Sequence, residues 1–285
     1  MLKKLLLSLK VSRPGLWFQT LWLYLLPTAQ NPSYFGSYNF WLGLIYVLFP
    51  LNFLVYGLND LADWKIDQYN PRKNSYLFGA KIQPPDFKFL IWAIALTQIL
   101  FGILLLLRQE RLWHVLVAIF GVNILYNLPK WGLRAHPPFE LFNQLGYLLV
   151  LPFSILLNQT AFLPWPTILY LVLFCTHAHL MGEIMDVVPD KRTGRKTSAV
   201  FLGVKTTKCI IIILVAIESF WLWHFFKETV LSLFLLLGVV WLLLDVLVLY
   251  QDRNYTRKEF NLLGYGLNLS GYASIVWVWL SGKLN

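Results

Sequence analysis

Charge is scarce in this chain: only 13% of its 285 residues are Asp, Glu, Lys or Arg, and none of the four occurs between Pro14 and Asn59. A soluble domain carries about 25%, so an ordinary water-facing surface is excluded. Cysteine is confined to Cys175 and Cys209, each inside an apolar run, which excludes a disulfide framework and a CxxC metal site. Neither HExxH nor a His-rich tract is present among the five histidines, so zinc chemistry has no support. The opening MLKKLLLSLK is too short an apolar run to cross a bilayer and no small-residue cleavage site follows it. Residues 1–13 are therefore expected to be a basic amphipathic segment at the membrane interface and not a signal peptide.

What the chain has instead is hydrophobic length. With 58% hydrophobic residues, it reads as an all-α, polytopic integral membrane protein. Apolar runs long enough to cross fall at Leu16 to Thr28, Phe40 to Leu58, Phe87 to Leu107, Leu112 to Leu128, Phe139 to Asn158, Trp165 to Met185, Lys208 to Phe226, Thr229 to Tyr250 and Phe260 to Ser281. Nine transmembrane helices in one domain over residues 1–285 are expected. With the N-terminus in the cytoplasm, 20 Lys and Arg residues lie inside, and only Arg108, Arg111, Lys227 and Lys283 lie outside. That asymmetry is the positive-inside pattern. It also accounts for the net charge of +10 through anionic lipid and phosphate, with no nucleic acid required.

The uncharged stretch ends abruptly in YGLNDLADWKIDQYNPRK, residues 56–73. On a helix, Asp60, Asp63 and Asp67 fall within about 60° of one another. Three acids on one stripe repel unless a cation lies among them, and at a helix C-terminal end they also oppose the dipole. The spacing recurs in EIMDVVPD, where Glu183, Asp186 and Asp190 keep the same intervals. Basic runs follow both clusters: Arg72 and Lys73 after the first, then Lys191, Arg192, Arg195 and Lys196 after the second. Carboxylates holding Mg²⁺ beside Lys and Arg suit a diphosphate. Both clusters emerge on the cytoplasmic side in the nine-span topology, where two carboxylate stripes are expected to face one another.

These two runs resemble the NDxxDxxxD and DxxxD motifs of the UbiA-type membrane prenyltransferases. A third stretch, Tyr126 to Lys130 with Arg134 beyond it, resembles the family's YxxxK motif, so the likeness covers nearly the whole chain. It implies a Mg²⁺-dependent transfer of an isoprenyl group from an allylic polyprenyl diphosphate to a hydrophobic acceptor, either a carotenoid or an aromatic quinone precursor. Carried over, it assigns metal binding and catalysis to Asp60, Asp63, Asp67, Asp186 and Asp190, with Asn59 in the metal set. Glu183 extends the second cluster by one position, read either as part of the metal or phosphate site or as a carboxylate paired with a nearby Arg. Lys130 would serve both catalysis and the diphosphate, with Arg72, Lys73, Tyr126, Arg134, Arg195 and Lys196 also gripping the phosphates. The run Asn70-Pro71-Arg72-Lys73 is similar to the lycopene elongase branch, where quinone-pathway members carry Arg-Pro.

Several features stand outside the motifs. Pro189 removes a helical hydrogen bond and disfavours helical geometry at Val188, so Asp190 is expected on a broken turn. His179 lies one turn before Glu183 and could reach it or an acceptor, whereas His177 points to another helix or to headgroups. Asp245 is costly unless it meets a cation or a cavity, and Glu218 is expected to make a structural hydrogen bond. A CDP-alcohol-type lipid phosphotransferase also uses two acidic clusters, but its DGxxAR signature is not found here. In a transporter or scaffold the acids would be ion sites near mid-membrane.

Overall fold

The computed structural model describes residues 2–128 and 131–285 and is helical, with no strand among the described residues beyond an isolated bridge between Ser75 and Gly79. Thirteen α-helices follow in order among these residues: α1 Leu2–Val11, α2 Trp17–Leu25, α3 Tyr38–Leu48, α4 Pro50–Asp67, α5 Phe87–Leu106, α6 Leu112–Asn127 and α7 Leu141–Leu145. Then come α8 Val150–Asn158, α9 Trp165–Thr193, α10 Ser198–Leu202, α11 Val204–Phe226, α12 Thr229–Leu244 and α13 Arg257–Ser281. Five stretches among the described residues are long and apolar enough to cross a membrane: Tyr38–Asp67, Pro84–Leu106, Trp165–Thr193, Val204–Phe226 and Thr229–Leu249. Many of their large side chains face outward, as on α12, where Leu233, Phe234, Leu237 and Trp241 are exposed. An apolar exterior is what a lipid solvent demands. The contacts divide the chain into two compact units.

One unit comprises residues 1–132, 149–162 and 261–282. Its central element is α4, which packs on α1, α3, α5 and α6. Pro50 at the start of α4 cannot donate a backbone hydrogen bond, so the continuous apolar stretch breaks between α3 and α4. Side chains take over the stranded carbonyls. Asn52 donates to Val47 O and Leu48 O at 2.8 and 2.9 Å, and Thr20 also donates to Val47 O at 2.9 Å, while Gln98 adds a bond to Pro50 O at 2.6 Å in the first turn of α4. Within the same unit α13 comes close to α2, because Gly271 leaves no Cβ to strike Phe18.

The other unit comprises residues 133–148, 163–260 and 283–285. Helices α11 and α12 form a hairpin whose turn is Lys227, left-handed at φ 51°, and Glu228, whose carboxylate accepts from the N–H groups of Val230 and Leu231. Reciprocal hydrogen bonds of 2.8 Å between Ser219 and Ser232, each hydroxyl to the other's carbonyl, tie the two helices together. The start of α13 is a capping box: Thr256 N–H donates to Glu259 and Glu259 N–H to the Thr256 hydroxyl. That backbone bond, with Arg253 beside it, holds the Glu259 carboxyl down at about 2.

Two intramembrane acids in this unit find partners. Asp245 opens a π-helical turn over Asp245–Leu249 and meets the fully buried Lys208 at 2.7 Å, with the Tyr255 hydroxyl donating to its other oxygen. Glu218 accepts from His177 at 2.6 Å, which places His177 against α11. Lys208→Met leaves Asp245 charged in a dry site and is expected to cost about 3–5 kcal/mol of stability. Thermal unfolding of the detergent-solubilised protein reads this, and the double change with Asp245→Leu should recover most of the loss. An unaltered melting temperature in Lys208→Met would refute the prediction.

The break expected at Pro189 does not occur. Helix α9 continues through it to Thr193 and closes on Gly194, left-handed at φ 72°, whose N–H bonds back to Asp190 O and Lys191 O. One lost hydrogen bond is tolerated there because many helical turns precede Pro189 and the glycine cap satisfies the carbonyls that follow.

Candidate active site

Helix α4 carries its acids onto a buried face: Asp60 is 0%, Asp63 4% and Asp67 5% exposed. After Asp67 the chain reverses through Asn70, whose side chain accepts from Arg72 N–H at 3.2 Å. That turn returns Lys73 to the helix it has just left. Its ammonium lies 2.5 Å from Asp60 Oδ1 and 2.8 Å from Asp67 Oδ2, bridging the outer two acids of the stripe. Asn59 donates to Asp63 Oδ2 at 3.3 Å. The loop that follows closes on itself, with Asn74 N–H and Ser75 N–H both donating to Gly79 O.

A second cation arrives from far along the chain. Arg13 Nη2 lies 2.6 Å from Asp60 Oδ1, and the guanidinium stands 4.3 Å over the Tyr56 ring. Arg13 has φ 52°, an uncommon conformation for a residue with a side chain, just before the 3-10 turn at Pro14. Gly79 at φ 94° passes over this pair, where a Cβ would stand 2.8 Å from Arg13 Nε and 3.3 Å from Asp60 Oδ2. Only glycine fits both that backbone and that space. Sequence reading missed Arg13, since the residue belongs to no motif and lies 47 positions from its partner.

The acids of α9 belong to the other unit. Glu183 is buried and its Oε2 accepts from Ala199 N–H at 2.9 Å, beside Glu140, which accepts from Ser198 N–H at 2.7 Å. The two carboxylates together cap the short α10, and Glu140 carried no signal in the sequence that foretold it. His179 Nε2 comes within 3.3 Å of Glu183 Oε1, as its one-turn spacing allows. Asp186 is half-buried. Asp190 Oδ1 is 3.8 Å from Arg195 Nη1, and Arg195 Nε donates to Arg134 O at 3.2 Å. Lys196 is exposed, Arg72 stacks on Phe78 at 5.3 Å, and Tyr126 is buried near the end of α6. Lys130 lies outside the described residues.

Among the described residues no three His, Cys, Asp or Glu side chains are already drawn together as a metal-holding group. The first cluster nonetheless fits a hard dication. Its donors are oxygens, and Asp60 Oδ2 is buried with no hydrogen-bond partner among the described residues, so a lone pair is left for a cation. Arg13 and Lys73 supply two positive charges against three carboxylates.

A model of the UbiA prenyltransferase family matches residues 16–269. The chain belongs to the UbiA prenyltransferase family. It is thus a membrane prenyltransferase. A lycopene elongase/hydratase of Corynebacterium glutamicum is 27% identical over 212 residues, 72% of each chain. One of Haloarcula japonica is 26% identical over 164 residues, 57% of this chain and 54% of that one. Among solved structures, a UbiA homolog from Archaeoglobus fulgidus bound to DMAPP and Mg²⁺ superposes with a TM-score of 0.65 at 15% identity, covering 95% of this chain and 99% of that one. The same homolog bound to GPP and Mg²⁺ gives 0.61 at 16% identity, covering 94% and 99%. This UbiA member therefore has the UbiA fold.

Proposed function

We propose that this UbiA-family protein transfers an isoprenyl group from an allylic diphosphate to a hydrophobic polyene acceptor of the carotenoid class, releasing pyrophosphate with Mg²⁺ as cofactor. The observation that carries the reading is Lys73, from the NPRK run, seated between the buried Asp60 and Asp67. A cation folded back onto acids is the charge arrangement that a diphosphate with its counter-ions would enter. The lycopene elongase/hydratase relatives favour a polyene over an aromatic acceptor.

In this reading Asn59, Asp60, Asp63 and Asp67 of the first unit would hold metal, as would Glu183, Asp186 and Asp190 of the second. Mg²⁺, when bound, would neutralise the charge that builds on the departing diphosphate. Lys73 and Arg72 flank the phosphates, joined by Lys130, Arg134, Arg195, Lys196 and the Tyr126 hydroxyl. Because Lys73 is already held between Asp60 and Asp67, it would stabilise the leaving group at little reorganisation cost. Apolar helices around the acids exclude water from the allylic carbon. Both acid sets serve the same turnover, a reading supported by their matching intervals. We further propose nine spans with a cytoplasmic N-terminus, which puts both acid sets at the cytoplasmic face.

The test is pyrophosphate release by the purified protein in detergent with Mg²⁺ and dimethylallyl, geranyl or geranylgeranyl diphosphate. Lycopene, 4-hydroxybenzoate and homogentisate are offered as acceptors. Release that depends on lycopene, with a prenylated polyene by mass spectrometry, is expected. Release that depends on an aromatic acceptor would overturn the acceptor class, and no release with any of them would overturn the reaction.

A further inference from the structure

The stripe that carries the acids of α4 continues toward the membrane interior as rings. Counting back from Asp60 along α4, the residues on the same face are Tyr56 and Phe53, at i−4 and i−7, within about 80° of the acids. Phe49 and Phe53 are stacked at 5.4 Å, and Trp17 meets Phe49 edge-on at 6.4 Å. Tyr56 therefore stands at the junction, one turn from Asp60, with carboxylates on one side and aromatic rings on the other. Its hydroxyl is held by Gln19 Oε1 at 3.3 Å. Its π face already receives a cation, the Arg13 guanidinium at 4.3 Å, while the same guanidinium pairs with Asp60.

From this geometry we infer that Tyr56 is a catalytic residue whose ring face seats the allylic carbocation. The inference rests on the prenyl-transfer reading above. A diphosphate beside Asp60 is a stronger anion than the carboxylate and draws Arg13 toward itself, clearing the ring face. The allylic carbon attached to that diphosphate then lies on the interior side of the acids, where Tyr56 is. When the C–O bond breaks, its electron pair leaves with the diphosphate and the positive charge spreads over C1 and C3 of the allyl group. That charge meets the negative face of the ring in a water-poor site, where cation–π attraction is largest. An acceptor π pair then closes the new C–C bond at C1, and the resulting acceptor cation loses a proton to the released pyrophosphate. One ring thus exchanges a resting cation for a reacting one. Phe53 on this face, with Phe49 stacked on it just before the helix, continues the aromatic surface about 10 Å beyond Tyr56, where the rest of an isoprenyl chain would lie.

Replacing Tyr56 with Phe and then with mono-, di- and trifluorophenylalanine keeps the ring's shape while emptying its π face step by step. Turnover is read by pyrophosphate release, and donor binding by equilibrium titration with geranylgeranyl diphosphate and Mg²⁺. Tyr56→Phe is expected to keep most activity, each fluorine to lower kcat about three-fold, and Tyr56→Leu to lower it about thirty-fold. Donor Kd should stay within about two-fold across the fluorinated series. A kcat indifferent to fluorination would overturn the assignment, because a packing role depends on shape alone. So would a decline carried entirely by Kd. Absence of turnover in the wild-type protein would instead fail the prenyl-transfer reading itself, so the two failures are distinguishable.

Discussion

Asp63→Ala and Asp186→Ala should each lower pyrophosphate release at least about a thousand-fold, equivalent to about 4 kcal/mol of lost transition-state stabilisation. Asp63 is the middle acid of the α4 stripe, buried to 4% exposure and touched by Asn59. Asp186 is the middle acid of the α9 set and half-buried. Deleting either removes a negative charge from the set proposed to hold Mg²⁺ against the diphosphate, at the moment when charge on the leaving group is greatest. The paired measurement is thermal stability, since a buried carboxylate can also hold the fold together. Activity lost without a matching drop in melting temperature assigns the acid to the reaction. If either variant keeps more than a tenth of wild-type turnover, that acid set lies outside the reaction and the two clusters do not form one functional unit.

Removal of divalent cations should have the other large effect. With excess chelator, pyrophosphate release is expected to fall to background. Mg²⁺ should restore it, whereas Ca²⁺ restores little, because its larger, looser oxygen shell fits a diphosphate and a compact carboxylate stripe poorly. Lys73 and Arg13 each neutralise Asp60 through a direct ion pair. The metal-free protein should therefore remain folded and refill without a refolding step. Chelated protein that keeps full turnover would remove the metal from the proposal and leave Lys73 and Arg13 as the stabilising charges.

Much of this was legible in the sequence. The helical membrane class followed from the scarcity of charge and the length of the apolar runs, which leave few other solutions to backbone hydrogen bonding in lipid. Family membership followed from the acid spacings and the YxxxK stretch. His177 was expected to face another helix or headgroups, and it meets Glu218 of α11. Asp245 was expected to need a cation or a cavity, and it has Lys208. The turn at Pro189 went the other way, because a local rule about proline does not weigh the Gly194 cap a turn later.

The sequence by itself determined which acids share a helical face, because 3.6 residues per turn is a local property: Asp60, Asp63 and Asp67 fall on one stripe from spacing alone. It also determined where charge interrupts apolar length. The tertiary structure alone decided what meets that stripe. Arg13 is 47 residues from Asp60, and Lys73 returns only because the chain reverses at Asn70. Likewise Glu183 is claimed in part by the backbone of Ala199, 16 residues on. Such pairings depend on how helices pack and loops close, and a buried charge accepts whichever counter-charge that packing brings within reach.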